Sequence, residues 1–312
     1  MFKIGDVEIK NPIIIAPMAG VSNSAFRSMC YNFNAALVYS EMISDKALLF
    51  KSSKTFEMCQ SLDEEHPLTF QLFGHDIDSM VEAAKYLDKN TKCDIIDINM
   101  GCPDRHVVAT GGGSGLIRTP ELAKEIIRAT QSAGFSTSVK TRLGYTSVDE
   151  WHIWLTNILE EKPEALTVHL RTKKEMSKVK AHYELIPEIA ELRNEISPST
   201  KLIINGDIKS AAEASKYVAL GADGIMIGRG VFANPFCFEK EPREHTREEL
   251  LELMQYHLDL YEKYELAPYD PLKRFFKIYI NNFPGASDIR EQLMHTKTIA
   301  EARAIIEPLI KE

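Results

Sequence analysis

The 312-residue chain predicts a (β/α)8 barrel, a TIM barrel, followed by a small helical C-terminal domain. Two observations carry the barrel. Eight short apolar runs recur through about residue 230, each followed by a polar loop and an amphipathic stretch. The runs are continuous in Ile, Val and Leu rather than strictly alternating, as parallel strands buried on both faces require. The competing arrangement is a doubly wound open sheet. Eight units in series without a reversal point favour closure into a barrel. A third observation separates the end of the chain, where after residue 238 the strand pattern stops and helical spacing takes over.

The elements follow in order. The first run is Ile13-Ile14-Ile15-Ala16, leading into Pro17-Met18-Ala19. Ser22-Asn23-Ser24 then offers caps for a helix with Phe26, Met29, Cys30 and Phe33 on one face. The second and third runs are Ala36-Leu37-Val38-Tyr39, before Glu41, and Leu68-Thr69-Phe70-Gln71-Leu72. The fourth, Ile95-Ile96-Asp97-Ile98-Asn99, precedes a helix with Thr119 at the N-cap, Pro120 at its first position and Gly134 at its stop. Thr137-Ser138-Val139-Lys140 and Ala165-Leu166-Thr167-Val168-His169 are the fifth and sixth, and Leu202-Ile203-Ile204-Asn205 the seventh. Ser210-Ala211-Ala212-Glu213 has the form of a capping box, and Gly221 ends that helix before the eighth run, Gly224-Ile225-Met226-Ile227-Gly228. Beyond it, Leu250, Leu251, Met254, Leu258 and Tyr261 form a helical stripe. Residues 271–280 are aromatic and basic, and residues 299–309 are helical again. The division is residues 1–238, a catalytic barrel, and 241–312, a helical domain.

Composition narrows the class. Apolar residues are 44% and charged residues 26%, ordinary for a globular enzyme and unlike a disordered or fibrous chain. No stretch approaches the roughly 18 apolar residues of a membrane span, and Met1-Phe2-Lys3 does not open a signal peptide. The five cysteines are odd in number and hold no C-x-x-C pair, so neither a disulfide framework nor a zinc site is expected. The expectation is a cytoplasmic, metal-free monomer with reduced thiols. The net charge of −8 gives no general attraction for nucleic acid. Contact with a polyanion must come from local clusters. One is Arg171, Lys173, Lys174, Lys178 and Lys180 against Glu175; another is Arg274 and Lys277 beside Phe275 and Phe276.

Barrel chemistry sits at the C-terminal strand ends. Those positions here hold Pro17, Met18 and Ala19, then Glu41, Gln71, Asn99, Lys140 and Arg142. His169, Arg171, Asn205-Gly206-Asp207 and Gly228-Arg229 complete the set. The last two loops, with glycines and an arginine, suit a phosphorylated ligand. Cys102 follows the fourth run in Asn99-Met100-Gly101-Cys102-Pro103. A thiol held there faces the mouth as a nucleophile or a proton donor. The other four cysteines read as small buried apolar residues. Residues 111–115, Gly-Gly-Gly-Ser-Gly, lack the Lys-Ser/Thr of a P-loop and read as a turned loop near Cys102.

Taken together, the chain resembles the tRNA-dihydrouridine synthases over nearly its whole length. The resemblance rests on Ala16-Pro17-Met18-Ala19-Gly20-Val21, Phe70-Gln71-Leu72-Phe73-Gly74 and Asp97-Ile98-Asn99-Met100-Gly101-Cys102-Pro103. It continues in Val139-Lys140-Thr141-Arg142, Val168-His169 with Arg171-Thr172, Asn205-Gly206-Asp207-Ile208, Gly228-Arg229-Gly230 and Phe283-Pro284-Gly285-Ala286. It implies an FMN-dependent reductase, drawing on NADPH, that converts uridine in folded RNA, tRNA first, to 5,6-dihydrouridine. Carried onto this chain, Pro17, Met18 and Ala19 would line the flavin. Gln71 and Lys140 would bond its pyrimidine edge, with His169 beside it. Asn205, Gly206, Asp207, Gly228 and Arg229 would hold ribityl and phosphate. Cys102 would protonate uracil C5 after hydride reaches C6. Asn99, Arg142 and Arg171 would contact the uracil or nearby phosphates, with Lys173 and Lys174 on the RNA.

Three departures fall on the substrate side. They are His106 four residues after the cysteine, Leu170 between His169 and Arg171, and the 175–183 segment. A ribosomal RNA substrate, a small-molecule pyrimidine oxidoreductase and a non-catalytic RNA-binding protein are the alternatives.

Overall fold

The structure, a computed structural model, describes residues 1–266, 268–281 and 283–310. Among the described residues the strands are β1 (Phe2–Ile4), β2 (Val7–Ile9), β3 (Ile13–Ile15), β4 (Val38–Ser44), β5 (Leu68–Phe73), β6 (Ile95–Met100), β7 (Thr137–Arg142), β8 (Ala165–His169), β9 (Lys201–Asn205) and β10 (Gly224–Ile227). Strands β3 to β10 pair in parallel in the order β3-β10-β9-β8-β7-β6-β5-β4. The sheet closes where Ile14 bridges Leu37 in parallel. Ile15 N–H donates to the Leu37 carbonyl at 3.1 Å and Ala36 N–H to the Ile13 carbonyl at 2.7 Å. The eight apolar runs therefore become the eight staves of a barrel.

Strand periodicity divides the core in two. Ile14, Tyr39, Ile95, Ala165, Ile203 and Met226 point inward and pack together. Ile13, Ile15, Val38, Ile96, Val139, Leu166 and Ile204 point outward against the helices. That outer layer continues into the C-terminal helices Arg247–Lys263, Lys273–Tyr279, Ala286–His295 and Ile299–Ile310. These dock on the helix Ser24–Asn32, where the Phe26 and Phe275 rings lie 5.3 Å apart. Tyr279 Oη donates to Met29 Sδ at 3.4 Å, and Asn23 Nδ2 donates to Tyr261 Oη at 2.5 Å.

Three details differ from the reading of the sequence. The β1–β2 hairpin was not expected. It turns at Gly5, whose φ is 56°, and buries Ile4 and Ile9 completely against the floor of the barrel. Strands of three residues are too short to show a period, although Gly5-Asp6 between two short alternating segments is a hairpin signal. β4 runs to Ser44, past a register shift between Tyr39 and Met42 that its polar residues disguise. Ser210 makes no capping bond; the Glu213 carboxylate instead accepts the Lys209 N–H at 2.7 Å. Thr119 occupies its N-cap position without a side-chain bond, ahead of Pro120.

Candidate active site

Toward the C-terminal end of the barrel the inward positions turn polar. Gln71, Asp97, Asn99, Ser138, Lys140, His169 and Asn205 replace the isoleucines of the floor. A cavity of about 510 Å³ opens there, between the ends of β3, β7, β8, β9 and β10. Pro17, Met18, Lys140, His169, Asn205, Gly206, Asp207, Gly228 and Arg229, all singled out from sequence, line it together. Ala16, Ile208 and Gly230, which belong to the quoted motifs but carry no assigned role, line it too, as do Lys209 and Ala233, which the sequence did not single out. Ala19 lines a neighbouring cavity of about 740 Å³, between the barrel rim and the C-terminal helices, with Glu41, Tyr261 and Arg274. Gln71 and Asn99 lie deeper, both buried.

Two loops converge on the wall of the first cavity. A Cβ on Gly230 would lie 2.9 Å from the Ile208 carbonyl oxygen and 3.0 Å from that of Lys209. The backbone at the start of the Gly230–Ala233 turn thus presses against the loop after β9, with Arg229 at its N-cap. Lys140 Nζ donates to Asn205 Oδ1 at 3.2 Å, and Asn205 Nδ2 donates to the Met226 carbonyl at 2.8 Å. Burial, reinforced by Arg142, pulls Lys140 down to about 8, with Asp97 and Cys102 opposing. Burial and the cations Arg142, Lys140, Arg171 and Arg229 hold His169 well below the ordinary imidazole range. It is neutral at pH 7. Arg171 Nη1 lies 3.2 Å from His169 Nε2. A guanidinium only donates, so Nε2 accepts and Nδ1 carries the proton.

Arg171, expected at uracil or phosphate, is 1% exposed and its donors are engaged. Nε donates to the Val179 carbonyl at 2.7 Å, and both Nη atoms reach the Asp207 carboxylate. Arg142 is likewise buried. It donates from Nε to the Gly101 carbonyl at 2.8 Å and from Nη1 to the Thr172 and Met176 carbonyls at 3.1 and 2.9 Å. Burial lowers it to about 10. Its bonds tie the Cys102 turn to the loop after β8. Lys173 stands 4.9 Å over the Tyr145 ring, and Lys174 is exposed beside it. The loop carrying both is held in place, because Lys173 and Lys174 N–H donate to the Gly144 and Tyr145 carbonyls at 2.8 and 2.9 Å.

Cys102 is half-buried in the turn after β6. Asn99 Oδ1 accepts the N–H groups of Gly101 and Cys102 at 3.1 and 2.8 Å. Gly113 backs the turn. Its φ is 56°, and a Cβ there would lie 2.9 Å from the Cys102 carbonyl oxygen and 3.2 Å from its Cβ. The glycine-rich stretch is thus the wall behind the thiol. Burial pushes the Cys102 thiol up, more than Arg142 and Lys140 pull it back, so it is protonated at neutral pH. Asp97, fully buried beneath, is lifted to about 6 by burial against the pull of Ser138, Gln71 and Lys140.

Among the described residues, no group of three or more His, Cys, Asp or Glu is placed to hold a metal, and no helix is long and apolar enough to cross a membrane. The family described as dihydrouridine synthase matches residues 14–312. A Staphylococcus aureus strain Mu50 protein named "Probable tRNA-dihydrouridine synthase" is 45% identical over 320 residues, covering 96% of this chain and 94% of that protein. A Bacillus subtilis protein named "Probable tRNA-dihydrouridine synthase 2" is 56% identical over 216 residues, 68% of this chain and 66% of its own length. In fold, the chain resembles the old yellow enzyme of Trypanosoma cruzi, with a TM-score of 0.55 at 13% identity over 75% of this chain and 88% of that one. It also resembles morphinone reductase, with a TM-score of 0.51 at 13% identity over 77% and 92%.

Proposed function

The chain belongs to the dihydrouridine synthase family, and from that premise we propose that it reduces uridines in folded RNA, tRNA first, to 5,6-dihydrouridine with bound FMN and electrons from NADPH. One observation carries the reading. A desolvated lysine and two converging backbone loops line one cavity at the barrel mouth, and the protonated Cys102 thiol follows the adjacent strand β6, close enough to Lys140 for each to shift the other's pKa. The names of the curated relatives support tRNA as the substrate.

The residues fit the flavin. The loops at 206–209 and 228–230, with Arg229, suit the phosphate end. Among the described residues Lys140 makes one side-chain hydrogen bond, which leaves two N–H groups for the pyrimidine edge. Gln71 bonds once through each end of its amide, so one N–H and one lone pair remain. Pro17 and Met18 would pack against the ring, His169 beside it, and Asn205, Gly206, Asp207 and Gly228 would hold the ribityl chain, whereas Ala19, expected at the ring, faces the neighbouring cavity. When bound, the flavin supplies the hydride that adds to uracil C6.

The chain's own groups do the rest. Cys102 delivers the proton to C5, which a thiol kept protonated by burial is suited to do. Asn99 and Arg142 sit beside that turn and would orient the uracil. Arg171 acts through Asp207 and His169, holding both in place. The target base must leave its stack at a cost of a few kcal/mol, least for an unpaired loop uridine. Lys173 and Lys174 on the rim offset that cost through phosphate contacts.

The substrate-side segment 175–183 departs from the family pattern, which makes ribosomal RNA the second reading. Within it, Glu175 accepts the Thr172 N–H at 2.7 Å and lies 3.0 Å from His182 Nε2. Mapping dihydrouridine by mass spectrometry in tRNA and ribosomal RNA, with and without the gene, decides. Loss at a tRNA position is the expected result; loss in ribosomal RNA moves the substrate. No loss in either, together with turnover of free pyrimidines, would replace RNA with a small molecule.

A further inference from the structure

Asp97 has no part in the chemistry above, yet it is a fully buried carboxylate in a barrel whose neighbouring inward positions nearer the floor are apolar. A buried charge is costly without a task. Strand register places it. Gln71 stands opposite Asp97 on β5, and Ser138 stands opposite it on β7. Asn99 follows two residues on along β6, on the same inward face. Asp97 Oδ2 accepts Gln71 Nε2 at 2.7 Å and Oδ1 accepts Ser138 Oγ at 2.5 Å. Gln71 Oε1 accepts Asn99 Nδ2 at 2.8 Å. Asn99 Oδ1 accepts the Gly101 and Cys102 N–H groups.

We propose that Asp97 is a positioning residue for Cys102, acting through Gln71 and Asn99. An ionised carboxylate only accepts, so Gln71 must turn its NH2 toward Asp97 and its oxygen toward Asn99. Asn99 must then donate to Gln71 and turn its own oxygen to the cysteine turn, where only N–H groups wait. Flipping either amide sets donor against donor, so the acceptor at one end and the backbone donors at the other dictate both orientations. The carboxylate thereby holds the turn that carries the thiol without touching it. This deepens the reading of Cys102 as proton donor and rests on it for its catalytic meaning, but the geometry can be tested without RNA.

The test is the rate at which iodoacetamide alkylates Cys102 in the full-length protein, followed on the Cys102 peptide by mass spectrometry. Asp97→Leu removes both acceptors and frees the amides. Cys102 alkylation should rise about fivefold, the equivalent of one hydrogen bond. Asp97→Asn keeps an oxygen for Gln71 and should return the rate to that of the wild type. In RNA turnover, Asp97→Leu should lower kcat with little change in KM. A faster thiol without RNA turnover, even in the wild type, would uphold the positioning and defeat the reaction reading instead. An unchanged thiol rate in folded Asp97→Leu, or an Asp97→Asn variant as perturbed as the leucine one, would overturn the proposal. Should Asp97→Leu fail to melt cooperatively, Gln71→Met cuts the same line one link on, and an unchanged rate there would overturn it equally.

Discussion

Cys102 shows how one side chain's chemistry is set by its neighbours. A free thiol has a pKa near about 8.5, and burial in the turn raises it further. That suits an acid and would hinder a nucleophile. Cys102→Ala should therefore keep its bound flavin spectrum while losing about 10²- to 10⁴-fold in RNA reduction, the usual weight of a general acid. Full activity in that variant would remove the assignment. Arg171 teaches the opposite lesson. From its strand-end position it reads as a substrate contact, whereas the folded chain spends its donors on Val179, Asp207 and His169. Position along a strand was legible; the partner was not, because Asp207 arrives from a loop 36 residues away. Asp97 escaped notice for a related reason: within an apolar run it looks like an interruption until register pairs it with Gln71.

Among the elements, the eight staves were readable because burial on both faces leaves a nearly unbroken apolar signature. The hairpin that floors the barrel carried no such signature. Its energetic role is nonetheless large, since Ile9 is fully buried against the barrel interior. Ile9→Ala should cost about 2–5 kcal/mol in urea unfolding, as for other buried isoleucines. A loss under about 1 kcal/mol would mean that the floor is dispensable. The docked helices offer a second test. Burial holds His257 down to about 3, its Nδ1 lies 2.8 Å from Tyr279 Oη, and Nε2 has no partner among the described residues. The folded-state pKa lies below the unfolded value, so below about pH 6.5 the unfolded chain binds a proton that the folded one refuses. Stability should fall as pH drops from about 6.5 toward 3. Between pH 7.5 and 5.0 the wild type should lose about 2 kcal/mol more than His257→Gln. Equal losses would show that this imidazole is not responsible.

At the scale of the whole molecule, an acidic chain carries a local basic loop at the C-terminal end of its barrel, where the proposed RNA contact would fall. The net charge is −8, yet Lys173 and Lys174 sit on a loop stitched to the barrel beside the mouth. Lys173→Ala with Lys174→Ala should raise KM for RNA and leave kcat near wild type. The log–log salt dependence of binding should flatten by about 1–2, as loss of up to two phosphate contacts requires. An unchanged slope would place the RNA elsewhere. The docking of the C-terminal helices on the first βα unit matters to the same end, because Arg274 Nη1 reaches the Gly20 carbonyl at 3.0 Å on the rim. It closes one side of the second cavity next to the mouth.

The sequence by itself determined the staves and the polar residues at the strand ends. Those follow from local periodicity and burial, which a linear pattern carries. Only the tertiary structure decided which polar groups meet: Arg171 with Asp207, Arg142 with the Gly101 carbonyl beside Cys102, Asp97 with Gln71. Such pairings depend on register and loop closure between segments far apart in the chain, and burial leaves each group dependent on the partner that arrives.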